Sequence, residues 1–264
     1  MLDEYGRDIN YLRISVTDKC NLNCTYCRQI GAEAVQPLSK LLTFEQIVII
    51  VREAVAIGIK KVRLTGGEPL MRKGVEWLVK YLSAISGIQY VGITTNGTLL
   101  AQKAVILKNN GLSGINVSLD TLDRNTYREI TGGGDIHTVL RGIDAARKAG
   151  LPVKINMVVS TSQETKIQNM KNFCSSQGLE LQLINRFTLG ARKNDTHNFD
   201  RPLKCADCNR IRLLANGIIK PCLHSNAEYR IDFNNISKSI ERAIESKPAQ
   251  GTACTNRQMF QIGG

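Results

Sequence analysis

Six of the chain's eight cysteines fall into two sets of three. Cys20, Cys24 and Cys27 follow a Cys-x3-Cys-x2-Cys spacing, and Cys205, Cys208 and Cys222 a Cys-x2-Cys-x13-Cys spacing, while Cys174 and Cys254 stand alone. Three thiolates on one short loop can each hold one iron of a 4Fe–4S cube, which is closed when four ligands are present. A missing ligand leaves one iron open to a substrate or cofactor, as in catalytic metal sites generally. The competing reading of the first set is a structural zinc site with a distant fourth ligand. Zinc ribbons, however, favour paired Cys-x2-Cys knuckles, and this loop follows a strand, where barrel active sites are built. The second set also reads as a zinc knuckle, with His224 or Cys254 completing it.

Charge is the other excess: 35 Lys and Arg against 23 Asp and Glu give +12. Such a surplus suits an anionic partner, nucleic acid or a phosphorylated small molecule. Base-stacking aromatics are sparse after Cys205, where only Tyr229, Phe233 and Phe260 occur, so nucleic acid is not the expected partner. Hydrophobic residues at 42% and charged residues at 22% exclude disordered and fibrous classes. No apolar run approaches a membrane span. The opening Met1-Leu-Asp-Glu-Tyr-Gly-Arg has no leader-like pattern, so a cytoplasmic location and reduced thiols are expected.

The elements that must position these thiols alternate. Strands are expected at Tyr11–Val16, Lys61–Thr65, Tyr90–Thr94, Gly114–Leu119, Val153–Val159 and Glu180–Phe187, each rich in Val, Ile and Leu as strands buried on both faces are. Helices are expected at Thr43–Ile57, Lys73–Ile85, Ala101–Asn109, Asp123–Ile130, Ile136–Ala149 and Gln163–Gln177, with Gly58, Gly111, Gly150 and Gly178 just past four of them. Successive βα units predict an α/β fold with a parallel sheet and right-handed crossovers, open or curved into a partial barrel. After Leu189 the chain turns polar. A hairpin signal at Asn216-Gly217, a helix at Ile236–Glu245 and a terminal Gly263-Gly264 follow. We expect two domains, a barrel over 1–189 and a small iron–sulfur domain over 190–264 that a metal site would help hold together.

Cys-x3-Cys-x2-Cys with Tyr26 before the last Cys resembles the radical S-adenosylmethionine (SAM) superfamily. Thr65-Gly66-Gly67-Glu68-Pro69, Thr94-Thr95-Asn96-Gly97 and Val117-Ser118-Leu119-Asp120 match it in order. The resemblance implies that the open iron chelates the methionine end of S-adenosylmethionine. It places Gly67 and Glu68 at the amino group, Tyr26 near adenine, and Ser118 near the methionine or ribose. Glycines at 66 and 67 would let the backbone approach a ligand closely.

The whole string further resembles the GTP 3′,8-cyclase (MoaA) family of molybdenum-cofactor biosynthesis. Asp3…Gly6-Arg7, Tyr11-Leu-Arg13-Ile-Ser-Val-Thr-Asp18, Val62-Arg63-Leu64, Lys154-Ile-Asn156, Cys208-Asn-Arg-Ile-Arg-Leu213 and Ile262-Gly-Gly carry the match. The resemblance implies a TIM-like partial (β/α)6 barrel, two 4Fe–4S clusters and S-adenosylmethionine. Reductive cleavage would give a 5′-deoxyadenosyl radical that takes H3′ from GTP, and C3′ would then attack C8 to give 3′,8-cyclo-7,8-dihydro-GTP. Arg13, Lys61, Thr94, Lys154, Arg186, Arg210 and Arg212 would surround GTP, since arginine offers two-pronged donors to phosphate. Arg210, Arg212 and the inserted tail Gly263-Gly264 would serve the later steps. Flavodoxin or ferredoxin would supply the electron, and a homodimer stays open.

One departure bears on substrate. Arg186 and Cys205 lie 19 positions apart, where the family has several tens of residues more, and Arg186-Phe-Thr-Leu189-Gly-Ala191 replaces its Arg-Phe-Ile-Glu. Two other readings therefore stand beside the cyclase. One is a shortened paralogue acting on another nucleotide, nucleoside or peptide; the other is a non-catalytic iron–sulfur or zinc protein that binds nucleic acid.

Overall fold

A computed structural model describes residues 1–27, 37–160 and 163–263. Six strands, β1 Tyr11–Ser15, β2 Lys61–Thr65, β3 Tyr90–Thr95, β4 Gly114–Ser118, β5 Val153–Val159 and β6 Glu180–Asn185, run parallel, each paired with the next. Helices α1 Phe44–Ala56, α2 Val75–Ser83, α3 Leu100–Asn109, α4 Arg124–Thr131, α5 Ile136–Lys148 and α6 Glu164–Ser176 lie between them. The α/β partial barrel expected from the alternation is thus present. Thr43 caps α1 in a reciprocal box with Gln46, satisfying two backbone donors that a helix start leaves open. Gly58, Gly111, Gly150 and Gly178 all have left-handed φ.

Alternation along the strands decides what each face does. Leu12, Ile14, Val62, Leu64, Val91, Ile93, Ile115, Val117, Ile155 and Met157 are buried in the main apolar core. Each such side chain removed from water contributes about 1.5–3 kcal/mol. The intervening residues form the inner face, and there the chain is polar: Tyr11, Arg13, Lys61, Arg63, Tyr90, Asn116, Lys154 and Asn156 line one cavity. The apolar face is buried throughout, while the polar face is buried at Arg13 and Arg63 and opens toward exposed Lys61.

Past β6 the polar stretch returns along that strand's edge, where Asn185 N donates to Arg201 O and Arg201 N to Leu183 O. The chain then crosses to the opposite edge. There β7 Arg210–Leu213 pairs parallel with β1, and β8 Ile218–Lys220 and β9 Tyr229–Arg230 follow antiparallel. The sheet order is β6-β5-β4-β3-β2-β1-β7-β8-β9. Helix α7 Ile236–Glu245 packs on α1, and its Ile236, Ile240 and Ile244 enter the main core. A last helix, α8 Met259–Ile262, brings the C-terminus inward. Among the described residues no helix is long and apolar enough to cross a membrane.

Candidate active site

The first cysteine loop leaves the C-terminal end of β1 and is tied down by backbone bonds. Gly67 N donates to Thr17 O (2.7 Å) and Glu68 N to Lys19 O (2.8 Å), just ahead of Cys20. A Cβ on Gly66 would stand 2.2 Å from Thr17 O and one on Gly67 2.3 Å from Lys19 O. The glycines are therefore required first by the chain's own backbone. Asn23 N and Thr25 N bond the carbonyls of Thr131 and Ile130. Cys20, Cys24 and Cys27 share a 200 Å³ cavity with Gly66, Gly67, Thr94, Ser118, Arg186 and Met259. Tyr26 lines it too, its hydroxyl donating to Asp120 Oδ2 (2.7 Å), while Val158 N donates to Asp120 Oδ1 (2.8 Å).

Glu68 does not reach this cavity. Its fully buried carboxylate accepts from Leu70 N, Thr95 Oγ1 and Asn96 N at 2.7–2.9 Å. Burial pushes the carboxyl up to about 7 against these three donors. Asn96 in turn reaches Cys20 Sγ at 3.8 Å. The Glu68 carboxylate thus holds the backbone that positions a thiol. Because all three partners are donors, Glu68→Gln turns an amide donor onto one of them. The loss of stability should be about 1–3 kcal/mol, read as a lowered denaturant midpoint with an unchanged slope. An unchanged midpoint would show that the carboxylate is not holding the loop.

The second cysteine set lies where β7 begins. Cys205, Cys208 and Cys222 line a 60 Å³ cavity with Arg7, Lys193, His224 and Lys247. The Asp3–Arg7 pair is buried at 2.6 Å, and Arg7 donates to Cys205 O and Pro248 O, each at 2.9 Å. The N-terminal motif therefore braces this site. Lys247 Nζ donates to Arg210 O and Pro221 O. Burial raises the Cys208 thiol, but Lys247 and the Arg210 backbone outweigh it and leave it below its ordinary value. Among the described residues no three His, Cys, Asp or Glu side chains gather at one point that could hold a metal ion. Tetrahedral zinc needs all its ligands within about 2.3 Å of one atom, whereas a cube spreads its thiolates over separate irons. Three thiols in each set match the three irons that a cube with one open position needs.

Between the two sets lies a cavity of 530 Å³. The parallel register places Arg13 beside Arg63 on one side and beside Arg212 on the other. All three are buried, at 7–9% exposure. Arg63 donates to Tyr11 Oη (2.6 Å), Asn116 Oδ1 (2.8 Å), Ile93 O (3.0 Å) and Tyr90 Oη (3.1 Å). Arg212 Nη1 donates to Gly263 O (2.6 Å). These acceptors of Arg63 and Arg212 are neutral, so the charge of those two side chains is solvated but not cancelled. Burial, then Arg212, holds Arg13 well below its ordinary value, and burial, then Arg210, brings Arg212 down to about 10. Arg210 stacks over Tyr11 at 5.5 Å. Exposed Lys61 and half-buried Lys154, paired to Glu180 at 2.6 Å, sit at the rim.

Arg13, Lys61, Lys154, Arg210 and Arg212 are thus brought to one cavity, while Thr94 and Arg186 stand in the other with Ser118. Gly263 is buried, and a Cβ on it would stand 2.3 Å from Thr65 Oγ1 and 3.2 Å from Gly66 N; Gly264 lies outside the described residues. Sequence reasoning missed Arg63 and Arg201 as site residues. Period-two alternation from Lys61 would have found the first. The second arrives only because the short connection runs along β6, and both line the cavity.

A fold of this kind, with three thiols at the end of its first strand, defines a radical SAM protein. The model of the radical SAM superfamily matches residues 14–173. A protein named GTP 3′,8-cyclase from Alkaliphilus oremlandii is 36% identical over 320 residues, and one of the same name from Petrotoga mobilis is 34% identical over 328, each pair covered in full. The chain belongs to the radical SAM superfamily and, within it, to the family of these GTP 3′,8-cyclases. It is a radical SAM enzyme, with S-adenosylmethionine and an iron–sulfur cluster as its cofactors, so the non-catalytic reading falls away. The two alignments span 320 and 328 positions against 264 residues here, consistent with the shortened connection. Among solved structures, Streptococcus suis SuiB bound to S-adenosylmethionine superposes with a TM-score of 0.68 at 17% identity, covering 92% of this chain and 65% of that one. Native anSMEcpe with bound AdoMet gives 0.66 at 16%, covering 90% and 81%. At these identities the likeness is one of fold.

Proposed function

We propose that the enzyme converts GTP to 3′,8-cyclo-7,8-dihydro-GTP, the entry step of molybdopterin formation. Two 4Fe–4S clusters would serve it, one on Cys20, Cys24 and Cys27 and one on Cys205, Cys208 and Cys222. The observation that carries the reading is the row Arg212–Arg13–Arg63 across three neighbouring strands, between the two cysteine sets. For Arg63 and Arg212, whose hydrogen-bond acceptors are neutral, a buried charge is expensive unless an anion joins it, and a triphosphate brings several negative charges with planar oxygen edges that match guanidinium forks. Arg210 and Arg201 extend the row, and Lys61 and Lys154 guard its mouth.

When bound, the first cluster and S-adenosylmethionine supply hydrogen-atom abstraction from an unactivated carbon. The protein's own part is placement. Gly66, Gly67 and Ser118 shape the cofactor cavity, and Asp120 fixes Tyr26 at its edge. Arg212 joins both ends, donating to the tail carbonyl of Gly263 while lining the nucleotide cavity, and would deliver a proton late in the reaction. The 190–264 segment acts as the auxiliary-cluster module, and an electron donor of the flavodoxin or ferredoxin kind supplies reducing equivalents.

The short connection between Arg186 and Cys205 favours one second reading, a shortened paralogue acting on another nucleotide, nucleoside or peptide. Calorimetry with GTP, ATP and a non-phosphorylated nucleoside separates the two. Arg13→Ala and Arg210→Ala should each weaken GTP binding by about 1.5–3 kcal/mol, roughly tenfold to a hundredfold. Binding of S-adenosylmethionine should hardly change. Equal and negligible affinity of the wild type for all three ligands would favour the paralogue.

A further inference from the structure

We propose that His224 Nε2 ligates, in the nucleotide-free enzyme, the iron of the second cluster to which Cys205, Cys208 and Cys222 give no thiolate. This rests on the two-cluster reading above. His224 is 2% exposed and lines the same small cavity as the three cysteines. Its Nδ1 faces Ala191 O at 3.4 Å. A carbonyl oxygen can only accept, so Nδ1 carries the proton in that contact, which leaves Nε2 with its lone pair. That nitrogen is buried and has no hydrogen-bond partner. A ring fixed by a backbone carbonyl at one nitrogen and open at the other is the arrangement of metal-bound histidines.

Two further contacts fix the ring. Phe187 packs on it, with centroids 5.1 Å apart and planes tilted by 53°. A Cβ on Gly251 would stand 2.7 Å from His224 Cβ and 3.4 Å from Cys222 Sγ, and Gly251 N lies 3.4 Å from Cys205 Sγ. The histidine and two of the thiols therefore crowd one glycine.

Elimination points the same way. Cys254, the other candidate from the sequence, sits in a separate apolar cluster with Leu214, Ile218 and Ile262, and its thiol meets Asn256 Oδ1 at 3.3 Å. Lys193 is paired with Asp195, and Lys247 holds two carbonyls. The arginines at this cavity carry no lone pair to give. Imidazole coordinates iron in clusters where it replaces thiolate, so the chemistry is ordinary for the group.

The test is pulsed electron paramagnetic resonance on anaerobically loaded, reduced full-length protein without nucleotide. Natural-abundance and 15N-histidine samples of wild type, His224→Phe and His224→Cys are compared, with iron counted in each. Phenylalanine keeps the packing on Phe187, and cysteine offers a thiolate in its place. The expected result is about eight irons in wild type, with a nitrogen coupling that changes on 15N labelling and vanishes in His224→Phe. His224→Cys should load fully, show no nitrogen coupling, and carry a second cluster of lower potential because a charged ligand replaces a neutral one. About eight irons with no histidine coupling in wild type, or a coupling that survives in both variants, overturns the ligation and leaves the two clusters standing. About four irons in wild type overturns both together.

Discussion

Replacing Cys24 by Ala should abolish 5′-deoxyadenosine formation from S-adenosylmethionine under anaerobic reducing conditions. The loss should exceed the ~10–100-fold that follows removal of an outer partner of a metal ligand, because a ligand itself is gone. Among the described residues no other thiol lines the cavity to replace it. The cavity that holds Cys20, Cys24 and Cys27 is lined otherwise by glycines, hydroxyls, amides, Asp120, Arg186 and apolar groups, with no further thiol or imidazole among its lining residues. The loop cannot shift to recruit one, since Gly67, Glu68, Asn23 and Thr25 pin it on both sides. Cys20→Ala and Cys27→Ala should behave alike. The fold should survive, as these thiols contribute little to the core, so the thermal midpoint of the cluster-free protein should stay near that of wild type. Cleavage at an undiminished rate in any of the three would remove the loop from the cofactor site.

Cys208→Ala should divide the reaction. Its first site is intact, so 5′-deoxyadenosine should still form without coupling to substrate, while the cyclised nucleotide disappears. The separation follows from the architecture. The second set lies at the start of β7 and beyond it, braced by Arg7 and Lys247, and shares no cavity with the first. Between them runs the arginine row. Iron should fall by about half, to the four of a single cube. Full product yield from Cys208→Ala would make the second set structural, as a zinc knuckle would be.

Much of this was legible before any coordinates. The apolar runs fixed by β-branched residues became β2 and β5 with the expected ends, and the cap at Thr43 marked α1. The inner face was the harder matter. Runs such as Lys61-Val-Arg-Leu-Thr read as simply buried when hydrophobic residues are counted. Their period of two instead separates Lys61, Arg63 and Thr65 from Val62 and Leu64. The resemblance named Arg13, Arg210 and Arg212, which line one cavity, but no pattern in the sequence marked the bonds of the Glu68 carboxylate to Leu70, Thr95 and Asn96. Pairing of β7 with β1 joins residues about two hundred positions apart, a contact that local propensity does not encode. The two-residue β9 and the four-residue α8 are too short to show a period. Arg201 entered the site through a connection whose shortness was visible but whose path was not.

The most direct test of the central claim is anaerobic turnover of the enzyme carrying its iron–sulfur cofactors with S-adenosylmethionine, reductant and GTP deuterated at C3′. The account predicts deuterium in 5′-deoxyadenosine. It also predicts a nucleotide product isomeric with GTP that elutes separately and whose C8 hydrogen, retained, has turned from aromatic to aliphatic, since one hydrogen leaves C3′ and one electron and one proton return to the purine ring. Deuterium-free 5′-deoxyadenosine alongside unaltered GTP would contradict it.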